Sequence, residues 1–337
     1  MVKSRRKKIV RDQMPRISLD EIQSVTIKAL LKHGARKWIA TSVSKAVRRA
    51  EETGNVICGL YYLQSYCDQL VSGRVRGDVE PVVEKTREGA VKSDALFGFS
   101  QPAFDMGYLV AIEAAKKNGI SSFAVANAHT CTSLGYFTEK IAHEGLIGLG
   151  FTNASSVVAP PGGNSPVIGT NPIAMTVPGE AKPSMHFDFS TSAVALGKIT
   201  MAKAAGNMIP EGWAVDSDGR PTTDPVKALG GTLVSAGGYK GWGFGLMSEI
   251  FAAGLTGSVN SLDIKGLKSP DGPPHGIGQY YIIIDTKTFT NEFDEKFQKV
   301  SDAVSMQPGT RIPGSTRVEL SSVDVSDDLW RSVENLT

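Results

Sequence analysis

The sequence predicts a soluble α/β protein with a helical N-terminal section. Three observations carry this. Between residues 18 and 73, apolar residues recur at helical spacing in three stretches, which stop at Gly34, Gly54 and Gly73. From residue 121 onward, apolar β-branched runs and helical stretches alternate: strand 121–128, helix 132–144, strand 146–153, a β-α-β arrangement. The hydrophobic fraction of 41% and charged fraction of 21% are those of an ordinary soluble globular chain. With 337 residues the chain can bury the core of two domains or one large one.

Taken in order, residues 1–16 carry Lys3, Arg5, Arg6, Lys7, Lys8, Arg11 and Arg16. They read as a solvated basic arm, with a nucleic-acid or targeting role as the alternative. Ser18-Leu19-Asp20-Glu21 reads as a capping box opening the first helix. A second helix is expected over 37–52 and a third over 60–71, the last carrying Tyr61, Tyr62 and Tyr66 as core or interface aromatics. Residues 84–100 read as strand and turn, and 103–117 as a helix ending at Gly119. After the β-α-β stretch come a Gly- and Pro-rich loop over 155–172, strands 173–177 and 185–189, and a helix over 191–205. Residues 207–238 are rich in turn residues. An apolar helix is expected near 243–255, and a long polar loop over 256–278. Loops of that length are often functional. Strand 279–285, helix 293–306, a strand at 317–320 and a last helix at 326–335 complete the chain.

Net charge is +2, so no global field steers the chain to nucleic acid or to a membrane surface. No apolar run reaches the ~18 residues of a membrane span. Cys58, Cys67 and Cys131 form no disulfide or metal pattern, and an odd number points to a reducing cytoplasm. The N-terminal segment lacks the apolar core of a secretory signal.

The standard chemical motifs fail. Gly148-Leu149-Gly150 lacks the third glycine of the dinucleotide fingerprint and enters a loop rather than a helix. Gly241-Trp242-Gly243-Phe244-Gly245 has the wrong spacing, and no Ser or Thr follows Lys240 as a phosphate loop requires. The five histidines show no metal-ligand spacing, so no metal is expected. No Gly-x-Ser-x-Gly elbow is present.

What remains is a set of polar residues at element ends, among glycines. His129 follows the apolar run ending at Ala128. Thr130, Thr132 and Ser133 can cap the next helix and leave the imidazole free. Asp188 lies between Phe187 and Phe189, where a carboxylate is costly unless paired. A structural ion pair and a site role are both open for it. Lys240, between Gly238 and Gly241, is either a solvated loop lysine or a cation for a phosphate.

In order and spacing these residues resemble the type-2 malate/L-lactate dehydrogenase family, whose relatives include ureidoglycolate and sulfolactate dehydrogenases and piperideine-/pyrroline-2-carboxylate reductases. The resemblance spans about 18–320. It rests on Asn127-Ala128-His129, Tyr136-Phe137, Gly145-Leu146-Ile147-Gly148, Thr152-Asn153, Gly169-Thr170-Asn171-Pro172, Asp188-Phe189-Ser190-Thr191-Ser192, Gly197-Lys198, Trp213-Ala214, Thr223-Asp224-Pro225 and Gly237-Gly238-Tyr239-Lys240-Gly241. It implies a non-Rossmann α/β fold with a largely antiparallel mixed sheet, a homodimer, and NAD or NADP as cofactor near the subunit interface. By the same resemblance His129 is the proton donor/acceptor. Asn153, Asp188, Phe189, Ser190 and Lys240 are cofactor contacts, with Gly314 and Ser315 in a late cofactor loop. Residues 123–284 would carry the cofactor and catalytic groups, and 17–122 would pack with 285–337.

One stretch departs from the family. Its members carry Ser-His-Gly and, after two residues, Arg at the third helix; here the run is Ile57-Cys58-Gly59-Leu60-Tyr61-Tyr62. Tyrosine cannot replace the bidentate clamp of an arginine on a carboxylate. Cys58 reads as a small buried hydrophobe rather than a nucleophile. Cys58, Tyr62 and Thr170 are therefore the substrate-side candidates. The expected activity is NAD(P)H-dependent hydride transfer to or from a small 2-oxo or 2-hydroxy acid. A cyclic imino-acid reductase is the alternative, and a non-catalytic nucleotide-binding relative is the rival of another class.

Overall fold

The computed structural model describes residues 14–266 and 269–337. Residues 1–13, most of the expected basic arm, lie outside them. The described chain opens with a short strand, β1 (Arg16–Ser18), and helices α1 (Leu19–Lys32) and α2 (Lys37–Glu52). The N-cap half of the expected capping box forms, with Ser18 Oγ accepting from the Glu21 amide at 3.2 Å. The expected third helix is broken. Residues 56–58 and 60–62 make 3-10 turns, and α3 runs only over Leu63–Ser72. The cause is Glu51. Its carboxylate is buried and accepts the Leu60 amide at 2.7 Å, so close to Gly59 that a β-carbon there would lie 2.1 Å from Glu51 Oε1. Only glycine permits that approach.

The rest of the chain builds one large sheet and its cover. Its elements are β2 (Val82–Arg87), β3 (Ala90–Asp94), α4 (Ser100–Asn118), β4 (Ile120–Ala128), α5 (Leu134–His143), β5 (Ile147–Thr152), β6 (Ile173–Val177) and β7 (Met185–Phe189). There follow α6 (Leu196–Ala204), β8 (Ala214–Val215), β9 (Pro221–Thr222), α7 (Pro225–Gly230), β10 (Thr232–Leu233), α8 (Tyr239–Glu249), β11 (Ile277–Ile284), α9 (Phe293–Ser305), β12 (Ser322–Asp324) and α10 (Asp327–Glu334). Seven strands form the central sheet in the order β2-β3-β4-β11-β5-β6-β7. Within this sheet only the β3–β4 pair is parallel, so the sheet is largely antiparallel, as the resemblance implies. The expected β-α-β unit is real in direction, since β4 and β5 both run antiparallel to β11. They are not neighbours, however, because β11 lies between them. Its near-continuous apolar run, Ile277 to Ile284, suits a strand paired on both edges and covered on both faces.

Three apolar clusters hold the molecule. Helices α1, α2 and α3 pack with β12 and α10 around Ile22, Leu30, Val43 and Trp330. Phe104, Phe123, Phe137 and Tyr281 fill the space between α4, α5 and the sheet. Burying each such side chain contributes ~1.5–3 kcal/mol. A smaller cluster of Val158, Ile168, Ile199, Ile209 and Leu233 organises the three-stranded sheet β10-β8-β9 within the turn-rich stretch 207–238.

Three expected bounds move. Residues 191–195 are not helical, because Thr191 and Ala193 are tied by backbone bonds to 170 and 234, and α6 starts at Leu196. Residues 317–320 are not a strand. Arg317 and Glu319 turn to ion pairs with Glu139 and Arg49, and the strand forms at 322–324, where β1 is available to pair. The apolar helix of 243–255 starts earlier, at Tyr239, and its last turn is a π-helix over Ile250–Leu255.

Candidate functional site

His129 sits one residue past the end of β4, 1% exposed. Its segment is bracketed by two non-glycine residues in the left-handed region, Asn127 (φ 51°) and Thr132 (φ 63°). Such residues cost of order 1–3 kcal/mol each and persist where the surroundings force them. Here the surroundings do. Asn127 Nδ2 donates to both Asp94 carboxylate oxygens at 3.1 Å, and the His129 amide donates to Gly98 O at 2.8 Å. The ring is boxed by Phe99 and Tyr66 edge-on and by His275 flat, 4.7 Å between centroids and 8° between planes. Nε2–H donates to Gln69 Oε1 at 2.8 Å, while Nδ1, also buried, has no partner. Burial first, then the neighbouring His275 and Arg74, lowers the ring's basicity well below the ordinary value. The imidazole is neutral near pH 7.

Cys58 and Tyr62 stand on the same side of the molecule, before and at the start of α3. Cys58 Sγ donates to Thr132 O at 3.3 Å. Burial and then the Asp188 charge push its thiol up to about 12, so it is no thiolate nucleophile. Tyr62 stacks on Tyr66 at 6.3 Å, and its hydroxyl is pushed up to about 12, chiefly by burial.

Asp188, on β7, caps the N-terminus of α5. Its Oδ2 accepts from the Gly135 amide and from Ser133 Oγ, both at 2.8 Å. Burial raises its pKa, and these bonds work against that. A carboxylate at a helix N-terminus is favoured by the dipole. The approach is so close that a β-carbon on Gly135 would meet the His186 ring at 2.8 Å and Asp188 Cβ at 2.9 Å. Gly135→Ala is therefore expected to lose ~1–3 kcal/mol of stability by overpacking, read as a lower denaturant midpoint with unchanged m. An unchanged midpoint would show that Asp188 does not need this fit.

Beside this cap lies a cavity of about 450 Å³ lined by Asp188, Phe189, Gly314, Arg49, Arg311 and Arg317, among others. Three of the expected cofactor contacts thus share one cavity with three arginines. Phe189, stacked on Phe187 at 4.7 Å, is half exposed at its edge. The other candidates lie elsewhere. Ser190 bonds to Ser192 just past β7, and Ser315 is exposed next to Gly314. Asn153 is spent on the fold: Nδ2 donates to Val259 O at 2.8 Å and Oδ1 accepts the Gly278 amide at 3.1 Å. Thr170 offers its carbonyl to Thr191, a backbone role. Lys240 is exposed in the first turn of α8 and does not line the cavity. Residues 235–236 just before it are tied to 191–192 by backbone pairing.

Sequence reasoning missed Gln69, His275 and Arg74. Tyr62, Tyr66 and Gln69 recur at helical spacing, so the aromatic group already marked the face that meets His129. His275 lies in the long loop whose length alone suggested function. Arg74, after the glycine ending α3, gave no local signal. Among the described residues, no group of three or more His, Cys, Asp and Glu could hold a metal ion. No helix there is long and apolar enough to cross a membrane.

The sequence model of the malate/L-lactate dehydrogenase family matches residues 17–328. The chain belongs to that family. It is 37% identical over 301 residues to a (2R)-3-sulfolactate dehydrogenase (NADP(+)) of Chromohalobacter salexigens, covering 89% of this chain and 90% of the relative. It is 33% identical over 312 residues to a Δ1-pyrroline-2-carboxylate reductase of Ancylobacter novellus, covering 91% and 92%. The solved Δ1-piperideine-2-carboxylate reductase of Pseudomonas syringae pv. tomato superposes with a TM-score of 0.87 at 29% identity, over 96% of this chain and all of that one. Sulfolactate dehydrogenase of Methanocaldococcus jannaschii gives 0.86 at 27% identity, over 96% of each chain. This malate/L-lactate dehydrogenase family member is accordingly an oxidoreductase, and its sheet order is that of a non-Rossmann enzyme.

Proposed function

We propose that the chain transfers a hydride between NAD(P)H and the carbon next to the carboxylate of a small 2-oxo or 2-hydroxy acid, with His129 as proton donor/acceptor. The observation that carries this is the His129 ring itself. It is held at Nε2 by Gln69 and is buried with Nδ1 unpartnered, at a strand end with forced backbone on both sides. A neutral, oriented imidazole is a base for the hydroxyl of a hydroxy acid. Once protonated, it is the acid for the oxygen or nitrogen of a substrate undergoing reduction.

The cavity beside Asp188 suits a dinucleotide in charge and shape. Arg49, Arg311 and Arg317 can meet phosphates, and the Phe187–Phe189 pair offers a flat apolar surface. Asp188, Phe189 and Gly314 would hold the cofactor there, with Ser190, Ser315 and Lys240 on the approaches. When bound, the nicotinamide supplies or accepts the hydride. The named NADP(+) relative supports the phosphorylated cofactor. Homodimerisation goes with this reading. Tyr239, Phe244, Leu246, Ile250 and Leu255 are exposed apolar residues along α8 and its π turn, next to Lys240. Cytoplasmic residence goes with it too, since Cys58, Cys67 and Cys131 are all free thiols.

A cyclic imino acid is the second reading. It is favoured by Cys58 and Tyr62, which stand at the positions of the family's histidine and arginine, and by the pyrroline- and piperideine-carboxylate reductases among the relatives. The test is turnover by the purified full chain with NADPH or NADH, followed by nicotinamide absorbance. Pyruvate, oxaloacetate, sulfopyruvate, pyrroline-2-carboxylate and piperideine-2-carboxylate would each be tried. Faster oxidation with either class of acid identifies the substrate. Cofactor binding without turnover on any of them would replace the enzyme reading with that of a nucleotide-binding relative.

A further inference from the structure

Among the described residues Arg74 is the largest fully buried side chain, 1% exposed, and none of their carboxylates bonds to it. Its guanidinium is instead spread over backbone carbonyls of the long polar loop. Nε donates to Pro273 O at 3.0 Å, Nη1 to Gly266 O at 3.3 Å and to Ser269 O, and Nη2 to Lys265 O at 3.4 Å. Two residues past Pro273, with Pro274 between, stands His275, 3% exposed and stacked flat on His129. A rigid Pro-Pro link thus joins the carbonyl that Arg74 grips to the ring that lies on the catalytic imidazole. An arginine spent this way costs desolvation that an apolar side chain would not. A buried cation held by carbonyls of the loop that carries His275, which is stacked on His129, calls for a function.

We propose that Arg74 and His275 form a positioning unit for His129. Arg74 pins the loop at Lys265-Gly266, Ser269 and Pro273, the loop lays the His275 ring on His129, and the stack fixes the plane in which His129 meets substrate. This rests on the reading of His129 as proton donor/acceptor. The unit also sets charge. Among the described residues, the titratable and charged groups that bear on the pair are Tyr66 from α3, Cys131, Arg74, and Asp271 through its influence on Arg74. Tyr66 and Cys131 are held neutral by burial, and the Arg74 charge lowers the basicity of both rings. An entering carboxylate would offset that charge and favour a proton on His129. The ring would then carry the proton it donates, and its charge, only with an anionic substrate present.

The test uses the full-length chain with labelled histidine rings, observed by NMR from pH 5 to 8, beside steady-state kinetics. In the wild type, the His129 resonances are expected to stay neutral and ring-current-shifted throughout the range. Arg74→Lys keeps a charge but cannot bridge the carbonyls; it is expected to remove the stacking shift and lower kcat by up to ~10²-fold with little change in KM. Arg74→Met removes the charge as well and is expected to raise the His129 midpoint, which burial and His275 still hold below the ordinary value. His275→Ala should act like Arg74→Lys, and His275→Phe, which keeps a flat ring, should restore most of kcat. The proposal is overturned if His129 resonances and kcat are unchanged in Arg74→Lys and His275→Ala. It is also overturned if His275→Phe is as impaired as His275→Ala, since the ring nitrogen and not the stack would then matter. Should the Arg74 variants fail to fold, the two His275 variants decide. If His129 is not the proton donor, the NMR shifts still report the stack while kcat stays unmoved, which separates the two failures.

Discussion

Replacing His129 with alanine is expected to lower kcat by about 10²–10⁴-fold, the usual contribution of a general acid or base. The affinity for NADPH or NADH should stay within about twofold, because the cavity that suits the cofactor is not lined by His129. Stability should suffer too. The variant removes the bond to Gln69 and opens a void among Phe99, Tyr66 and His275, and losing a buried hydrogen bond costs ~0.5–1.5 kcal/mol before the void is counted. His129→Gln is the control, since it fills the space and can bond Gln69 but cannot carry the proton. The two variants together separate chemistry from packing. Calorimetry for the cofactor, turnover for the chemistry and a melting curve for the fold give three independent readings. Turnover within tenfold of the wild type in His129→Gln would remove the proton-transfer role from this residue.

Much of this site was legible because its signals are local. An apolar β-branched run ending in Asn127-Ala128-His129, and a carboxylate between two phenylalanines, stand out against their neighbours in any fold. The bounds of β6 and β7, at 173–177 and 185–189, follow from the same local patterning. What was not legible depends on partners far away in the chain. β11 enters between β4 and β5 from more than a hundred residues downstream, and no pattern within 120–152 announces it. The strand at 322–324 exists because β1 is there to pair, whereas 317–320, as apolar in part, is taken up by ion pairs. Gln69, Arg74 and His275 reach His129 from two separate elements. Their residue types carry no chemistry until folding brings them together. Asp188 shows the limit from the other side. Its burial was readable, but its use at the α5 N-terminus required knowing that β7 ends beside Gly135.

The second large effect concerns Glu139, 5% exposed on α5, which joins three parts of the chain. Arg49 of α2 grips it through Nε at 3.1 Å and Nη2 at 2.6 Å, and Arg317 reaches both carboxylate oxygens at 2.9 Å. Burial alone would push its carboxyl up. The two guanidinium groups overrule burial and hold it at about 2, against an ordinary 4.5. A folded-state pKa below the unfolded one means stability that is complete above pH 4.5 and lost as pH falls toward 2, worth ~3 kcal/mol. Glu139→Ala should lose stability at neutral pH by ~3–5 kcal/mol, because Arg49 and Arg317 are left facing each other with the shared carboxylate gone. It should also lack the Glu139 share of the acid slope. Urea midpoints at pH 7, 4.5 and 3 check both statements, with the difference between wild type and variant shrinking as pH falls. A difference that stays constant across those three values would mean that the carboxylate is not held by the arginines. The same two arginines line the cavity proposed for the cofactor, so their spacing there is set by Glu139. Cofactor affinity at neutral pH is therefore expected to fall with stability in Glu139→Ala. In Glu139→Gln, whose amide oxygen still accepts from one guanidinium, both should fall less, which ties the cavity's shape to the α2–α5 contact.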